Sequence, residues 1–400
     1  MGKKRLLLLS AVIIIIIFSL KPLFHSRLNP SDDEFTNEAL CPACYGRNLC
    51  PQFYHGEISL LGMSKLKYLQ FLNQKNVYSG KFKGEKVILK KLAHDWEIKD
   101  ADAFLCKETK LGELCKISDA IKLLIKNSVS KSDKINFVSI LDSFKSSTDL
   151  SRCPSERLLS FIFSKLNVDD DNQLEDPKIH KIGEMMYGIL INPEVIILQA
   201  FPQIEGWPFP YYHGSCGRII IEEYVGRSLA NYEDSPWEQR VDVAYQLLQI
   251  SQMLTENNLD FALYMTDVNM DNFAVRPDGT VLLIDVENIV IVDRVEARKG
   301  KDHSEMLHHS TGKFCSDCLN FSFEDFCNHD LSDHNYYAIC KGLLVPNAYY
   351  SKKGLLHDIP KDLDARTNLS SLIKECADPQ NYLGRFHVIP KLLQAMKSVL

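Results

Sequence analysis

Four hundred residues with 45% hydrophobic content suffice for one large two-lobed domain, or two domains, with a sizeable core. A net charge of −6 is mild for that length and excludes the basic footprint of a nucleic-acid-binding protein. No self-similar period is visible, which excludes solenoids and propellers.

The chain opens with Lys3-Lys4-Arg5 ahead of an apolar run, Leu6 to Leu20, ended by Lys21-Pro22. That pattern makes residues 1–22 either a cleaved signal peptide or an uncleaved signal anchor, with all that follows on the lumenal side. Membrane contact is expected through this segment alone. Residues 23–40 are polar and turn-rich, and read as a lumenal stem. A Cys-rich segment, 41–76, follows. All twelve cysteines lie beyond residue 40. An even count behind a signal sequence predicts disulfides rather than zinc, although Cys41, Cys44 and Cys50, and again Cys315, Cys318 and Cys327, form clusters that each contain a CxxC. Their pairing stays open. Asn320-Phe321-Ser322 and Asn368-Leu369-Ser370 are glycosylation acceptors that suit a lumenal chain.

Val77 to Leu92 reads as a β-hairpin around a Lys/Gly-rich turn, its second strand Lys86 to Lys91. Residues 154–166 form an amphipathic helix capped by Ser155, and a second helix runs from Ile179 to Ile191. The acidic stretch between them has the outline of an EF-hand loop, with Asn167, Asp169, Asp171 and Gln173 at ligand positions. Lys178 stands where the bidentate Glu belongs and Asn172 where Gly belongs, so Ca²⁺ is a weak expectation there. After Asn192-Pro193, Val195 to Leu198 and Arg218 to Tyr224 read as strands, the latter ending in a Val225-Gly226 turn. Ser235-Pro236-Trp237-Glu238 is a capping-box sequence with Pro at the first helical position. The helix it opens carries Val241, Ala244, Tyr245, Leu248 and Leu254 on one face and ends near Asn257-Asn258.

Phe273 to Val275, the Pro277-Asp278-Gly279 turn and Val281 to Ile284 then form a second hairpin. Asp267 and Asn272 precede its first strand and Asp285 follows its second. The two ends of a hairpin lie together, so these three side chains are expected to converge. Hard oxygen ligands in such a place suit a nucleotide's Mg²⁺ or Mn²⁺: Asn272 and Asp285 on the metal, Asp267 as the base for an acceptor hydroxyl.

The spacing from Asp267 to Asn272, the hairpin and Asp285-Val286-Glu287 resemble the catalytic loop and D-F-G segment of protein kinases. Val87-Ile88-Leu89-Lys90 resembles their V-A-I-K strand, and Ile219 to Gly226 the strand leading to the adenine-binding hinge. Together with CPAC, VILKKL, NPEVIILQAFP, EGWPF, FALYMTDVNMDNFAV, HNYYAIC and GLLHD, the chain resembles the divergent protein kinase family of the secretory pathway, the deleted-in-autism proteins in particular. That resemblance implies an α+β, kinase-like bilobal fold. Its small β-rich N-lobe, 77–224, would contain a helical EF-hand-like insertion, and its mostly helical C-lobe, 225–400, would end in a Cys-rich tail. It implies ATP as ligand, Lys90 on the phosphates with Glu184 or Glu156 as its carboxylate partner, and a protein of the Golgi lumen or a secreted one.

The departures from the kinase pattern are specific. Met265-Thr266 replace H-R, and Asn269 replaces a Lys that many Ser/Thr kinases place near the transferring phosphate. Glu287 replaces the D-F-G glycine, and either adds a metal ligand or repels phosphates. Three functions compete: a lumenal kinase acting on hydroxyls of proteins or glycans, a secreted pseudokinase acting as ligand or scaffold for an extracellular protein, and a type II Golgi glycosyltransferase using the D-x-D within 169–171.

Overall fold

The computed structural model describes residues 28–65, 76–112, 115–129, 135–166, 176–299, 319–380 and 384–400. The segment 1–22, the EF-hand-like positions Asn167, Asp169, Asp171 and Gln173, and Cys315 and Cys318 lie outside them. The chain divides into two compact units. The first comprises Met1–Lys122, Val168–Tyr187 and Tyr212–Tyr224; the second comprises Leu123–Asn167, Gly188–Tyr211 and Val225–Leu400.

The first unit is built on a five-stranded sheet of β1 (Ile58–Leu60), β2 (Val77–Phe82), β3 (Glu85–Lys90), β4 (Tyr212–Cys216) and β5 (Ile219–Glu223). The order is β1-β2-β3-β5-β4, with every neighbour antiparallel. The expected hairpin is β2–β3. Its register, Phe82 opposite Glu85, leaves a two-residue loop, and Lys83 and Gly84 both take positive φ (48° and 88°), as the twist of a tight hairpin requires. Alternation sends Tyr78 and Phe82 of β2 and Val87 and Leu89 of β3 into a core shared with Phe35, Phe53 and Ile221. The disulfide Cys50–Cys216 ties the short helix Cys50–Tyr54 to β4 across 166 residues of sequence. By loop-closure entropy a link of that span is worth about 5 kcal/mol.

In the second unit β7 (Phe261–Met265) pairs antiparallel with β10 (Ile289–Asp293). A separate three-stranded sheet has the order β6-β8-β9, formed by Arg227–Ser228, Phe273–Val275 and Val281–Leu283. Around these lie the helices Trp237–Thr255, His334–Ile339, Leu369–Ala377 and Gly384–Lys397. Gly226 has φ 154°, and a Cβ there would sit 2.1 Å from the Val275 carbonyl oxygen, so glycine is what lets the chain enter β6 against β8. The disulfides Cys153–Cys327 and Cys340–Cys376 brace this unit; Cys41–Cys44 and Cys106–Cys115 brace the first. Each CxxC cluster therefore sends its third cysteine to a distant partner.

Two local readings are corrected. Val195 to Leu198 is helical, within Glu194–Ala200. Its N-cap is Pro193, Asn192 Oδ1 accepts the Glu194 N–H at 2.9 Å, and Val195, Ile196, Ile197 and Leu198 are all buried. A segment apolar all round suits a buried helix as well as a strand, so the pattern alone does not choose between them. The capping box at Ser235 does not form: Pro236 is itself the N-cap, in extended backbone, and no side chain caps the helix Trp237–Thr255. By contrast Ser155 caps Glu156–Lys165 through the Leu158 N–H at 3.0 Å.

Candidate functional site

Strand β7 carries the chain to Asp267, and its free edge is held by side chains in place of a strand. Asn335 Oδ1 accepts the Met265 N–H at 3.0 Å, and Asn335 Nδ2 donates to the Leu263 carbonyl at 2.8 Å. His334 Nε2 lies 2.8 Å from the Met265 carbonyl oxygen. Both residues are fully buried at the start of the helix His334–Ile339, so the backbone just before Asp267 is fixed on both sides. Thr266, where the kinase pattern has Arg, turns its hydroxyl to the carboxylate of Asp149 and to the Asn288 carbonyl.

Beyond Asp267 the chain makes a single 3₁₀ turn, Met270–Asn272. Asn269 Oδ1 caps it, accepting the N–H groups of Asp271 (2.9 Å) and Asn272 (3.1 Å). The residue that replaces the expected cation is therefore committed to shaping the loop. Asn272, 3% exposed, donates from Nδ2 to the Asp267 carbonyl (3.0 Å) and to its Oδ2 (3.1 Å). Asn269 Nδ2 reaches Asp267 Oδ1 at 3.3 Å. Two amides thus hold the carboxylate of Asp267, which stays exposed.

The hairpin closes the arrangement. Phe273 pairs with Leu283, and the Ile284 N–H donates to the Asn272 carbonyl at 2.8 Å, which sets Asp285 one residue past Asn272's cross-strand neighbour. The backbone at Asp267, Asn272 and Asp285 thereby lies at one end of the β8–β9 hairpin. Asp285 is half-buried and has no hydrogen-bond or ion-pair partner among the described residues. The Asn272 side-chain oxygen likewise accepts no hydrogen bond there. A half-buried carboxylate and an amide oxygen on neighbouring ends of one hairpin are donor types that fit Mg²⁺ or Mn²⁺. Glu287 is held by Asn192 Nδ2, the same amide whose oxygen accepts the Glu194 N–H.

In the first unit Lys90 Nζ pairs with Glu222 at 2.8 Å, their side chains 14% and 3% exposed. Ile220 stands opposite Lys90 in the β3–β5 register, so Glu222 is the diagonal neighbour on the same face. Sequence reasoning missed Glu222: it is the fourth residue of β5, and its approach to Lys90 depends on β5 pairing with β3. Glu184 lies 3.5 Å from His180 Nε2 and 3.7 Å from Cys44 Sγ. Glu156 accepts the N–H groups of Phe137 (3.0 Å) and Val138 (3.2 Å) in the second unit. Of the glycosylation acceptors, Asn368 is exposed and Asn320 half-buried.

In the second unit a carboxylate held by amides precedes a hairpin with Asn272 and Asp285 at its mouth, and in the first a lysine stands on a small antiparallel sheet; protein-kinase-like domains share both features. The family model for the protein-kinase domain of FAM69 matches residues 186–379. Divergent protein kinase domain 2A of Xenopus tropicalis is 35% identical over 99% of this chain and 95% of its own length. The Homo sapiens protein of the same name is 34% identical over 92% and 89%. Divergent protein kinase domain 2B of Mus musculus is 25% identical over 90% and 82%. The chain belongs to the divergent protein kinase domain family, and its fold is the α+β, kinase-like one that the resemblance implies. A solved complex of Rv3197 with erythromycin from Mycobacterium tuberculosis covers 80% of this chain and 69% of its own at 11% identity, with a TM-score of 0.27, too low to carry an argument.

Proposed function

We propose that this chain binds Mg–ATP and transfers phosphate to a hydroxyl of a lumenal or extracellular protein or glycan. The observation that carries the reading is the Asn272–Asp267 amide bridge, with Asp285, whose carboxylate has no partner among the described residues, one residue past the Ile284 N–H that donates to the Asn272 carbonyl. When bound, the metal neutralises phosphate charge. Asn272 and Asp285 would hold it, and Mn²⁺ would serve as well. Asp267, held by two amides and open to solvent, orients the acceptor hydroxyl and takes its proton at a carboxylate oxygen. The phosphate role of Lys90 rests on the family resemblance.

Residence in the Golgi lumen or outside the cell follows from the basic-then-apolar start and is supported by the five disulfides among the described residues. A nucleotide-binding pseudokinase is the second reading, favoured by Asn269, whose side chain caps a turn where many kinases place a cation.

The test is Mg–ATP binding by the full chain, read by calorimetry, followed by phosphate incorporation from labelled ATP. Native protein should bind with one-to-one stoichiometry and Asp285→Ala should not. Binding without incorporation selects the pseudokinase. Equal binding by native and Asp285→Ala protein removes both readings.

A further inference from the structure

The CPAC segment carries chemistry that phosphate transfer does not use. Cys41 and Cys44 form a disulfide, and their two sulfurs and a carboxylate oxygen of Glu184 all lie within 4.8 Å of one another. With both sulfurs bonded to each other, this cluster is not a metal site. Cys44 is fully buried and Cys41 half-buried, so Cys41 is the residue of the pair that meets solvent. Glu184 Oε1 lies 3.7 Å from the buried sulfur, and His180, 8% exposed, sets Nε2 3.5 Å behind that carboxylate. The local sequence makes the approach possible. Both residues sit on the helix Pro177–Ile191, and between them is Gly183, where a Cβ would fall 2.8 Å from Pro42. The glycine admits Pro42 to the helix surface and so delivers Cys44 to Glu184.

We propose that Cys41–Cys44 is a thiol–disulfide exchange site whose partner is a dithiol oxidoreductase, with Glu184 as the proton-transfer group. This inference is independent of the nucleotide reading. In opening, a thiolate of the dithiol attacks Cys41 Sγ. The Cys41–Cys44 bond breaks, and Cys44 leaves as a thiolate that takes a proton from the Glu184 carboxyl. The partner's second thiolate then attacks the mixed disulfide and releases the Cys41 thiolate, so the partner is oxidised by two electrons to its own disulfide. In closing, the Glu184 carboxylate takes the Cys44 proton. The thiolate formed attacks the mixed disulfide at Cys41 and expels the partner's sulfur.

Two other disulfides of the first unit each lack one element. Cys50–Cys216 has the carboxylate of Glu38 within the same span, but both cysteines are buried. Cys106–Cys115 closes a short loop, yet no described acid or imidazole lies within that span of both its sulfurs.

The experiment titrates the native full chain with dithiothreitol, traps thiols by alkylation and reads each cysteine by mass spectrometry. Cys41–Cys44 should open at a concentration that leaves Cys106–Cys115 closed. After removal of reductant, oxidised glutathione should reclose it. A free thiol is only a few per cent ionised at neutral pH, so loss of the base in Glu184→Gln should slow closure by roughly ten- to thirtyfold. Glu184→Asp should restore part of the rate. Cys44→Ser should accumulate a glutathione mixed disulfide at Cys41. Simultaneous opening of the two short-loop disulfides, an unaltered closure rate in Glu184→Gln, or no adduct in Cys44→Ser overturns the proposal.

Discussion

Replacing Lys90 by Met keeps the side chain's length and apolar bulk and removes its charge. Glu222 would then be left with its side chain 3% exposed on the central strand β5, having lost the ammonium 2.8 Å away. An exposed pair of this kind is worth at most about 1 kcal/mol. Removing one partner of a buried pair costs about 3–5 kcal/mol, because the remaining charge stays out of water without the partner that neutralised it. With Lys90 14% and Glu222 3% exposed, the buried figure applies. If the whole chain unfolds together, its unfolding entropy is about 0.8 kcal/mol/K, and the loss lowers the melting temperature by about 4–6 °C. The assay is thermal unfolding by circular dichroism without nucleotide, on native protein, Lys90→Met, Glu222→Gln and the double variant. Coupling predicts that the double variant loses less than the sum of the singles. A Lys90→Met loss under about 1 kcal/mol, or strict additivity, would refute the buried pair. Nucleotide is absent, so the outcome does not depend on the functional proposal.

Three other perturbations have definite signs. Burial raises the Asp149 carboxyl above the usual range, against the Thr266 hydrogen bond and the charge of Arg152. A raised folded value means that the carboxyl's contribution is fully present below its unfolded value, about 3.9, and is lost as pH rises through the folded one. Asp149→Asn should therefore match native protein at acid pH and exceed it at neutral pH, as measured by denaturant unfolding at both. For Asp293 burial acts upward, but hydrogen bonds from Arg157 and Ser155 and the Arg157 charge prevail and hold its carboxyl below the usual range. That stability is present above the unfolded value and is lost as pH falls through the folded one. Asp293→Asn should cost about 1–3 kcal/mol at neutral pH, with the gap to native protein closing on acidification. Asn335→Leu should cost about 2–5 kcal/mol in the same unfolding assay, since it strands the Met265 N–H and the Leu263 carbonyl beside a buried side chain.

What the sequence determined by itself is local. The β2–β3 hairpin, the Ser155 cap, the helix up to Ile191 and the β8–β9 hairpin each depend on alternation, turn residues or a cap within a dozen positions, and periodicity reports those directly. That the backbone at Asp267, Asn272 and Asp285 lies at one end of that hairpin was legible for the same reason, since a hairpin brings its own ends together. Where local signals were balanced, tertiary structure decided. Val195 to Leu198 is apolar and buried on every side, a pattern that helix and strand share, and it packs as a helix. Glu222 became the carboxylate at Lys90 because β5 pairs with β3, across more than a hundred residues of intervening chain. The same holds for the disulfide map, for Asn335 and His334 on the edge of β7, and for Glu184 against Cys44. Each depends on which elements pack together, and residue types along a line do not encode distances in space.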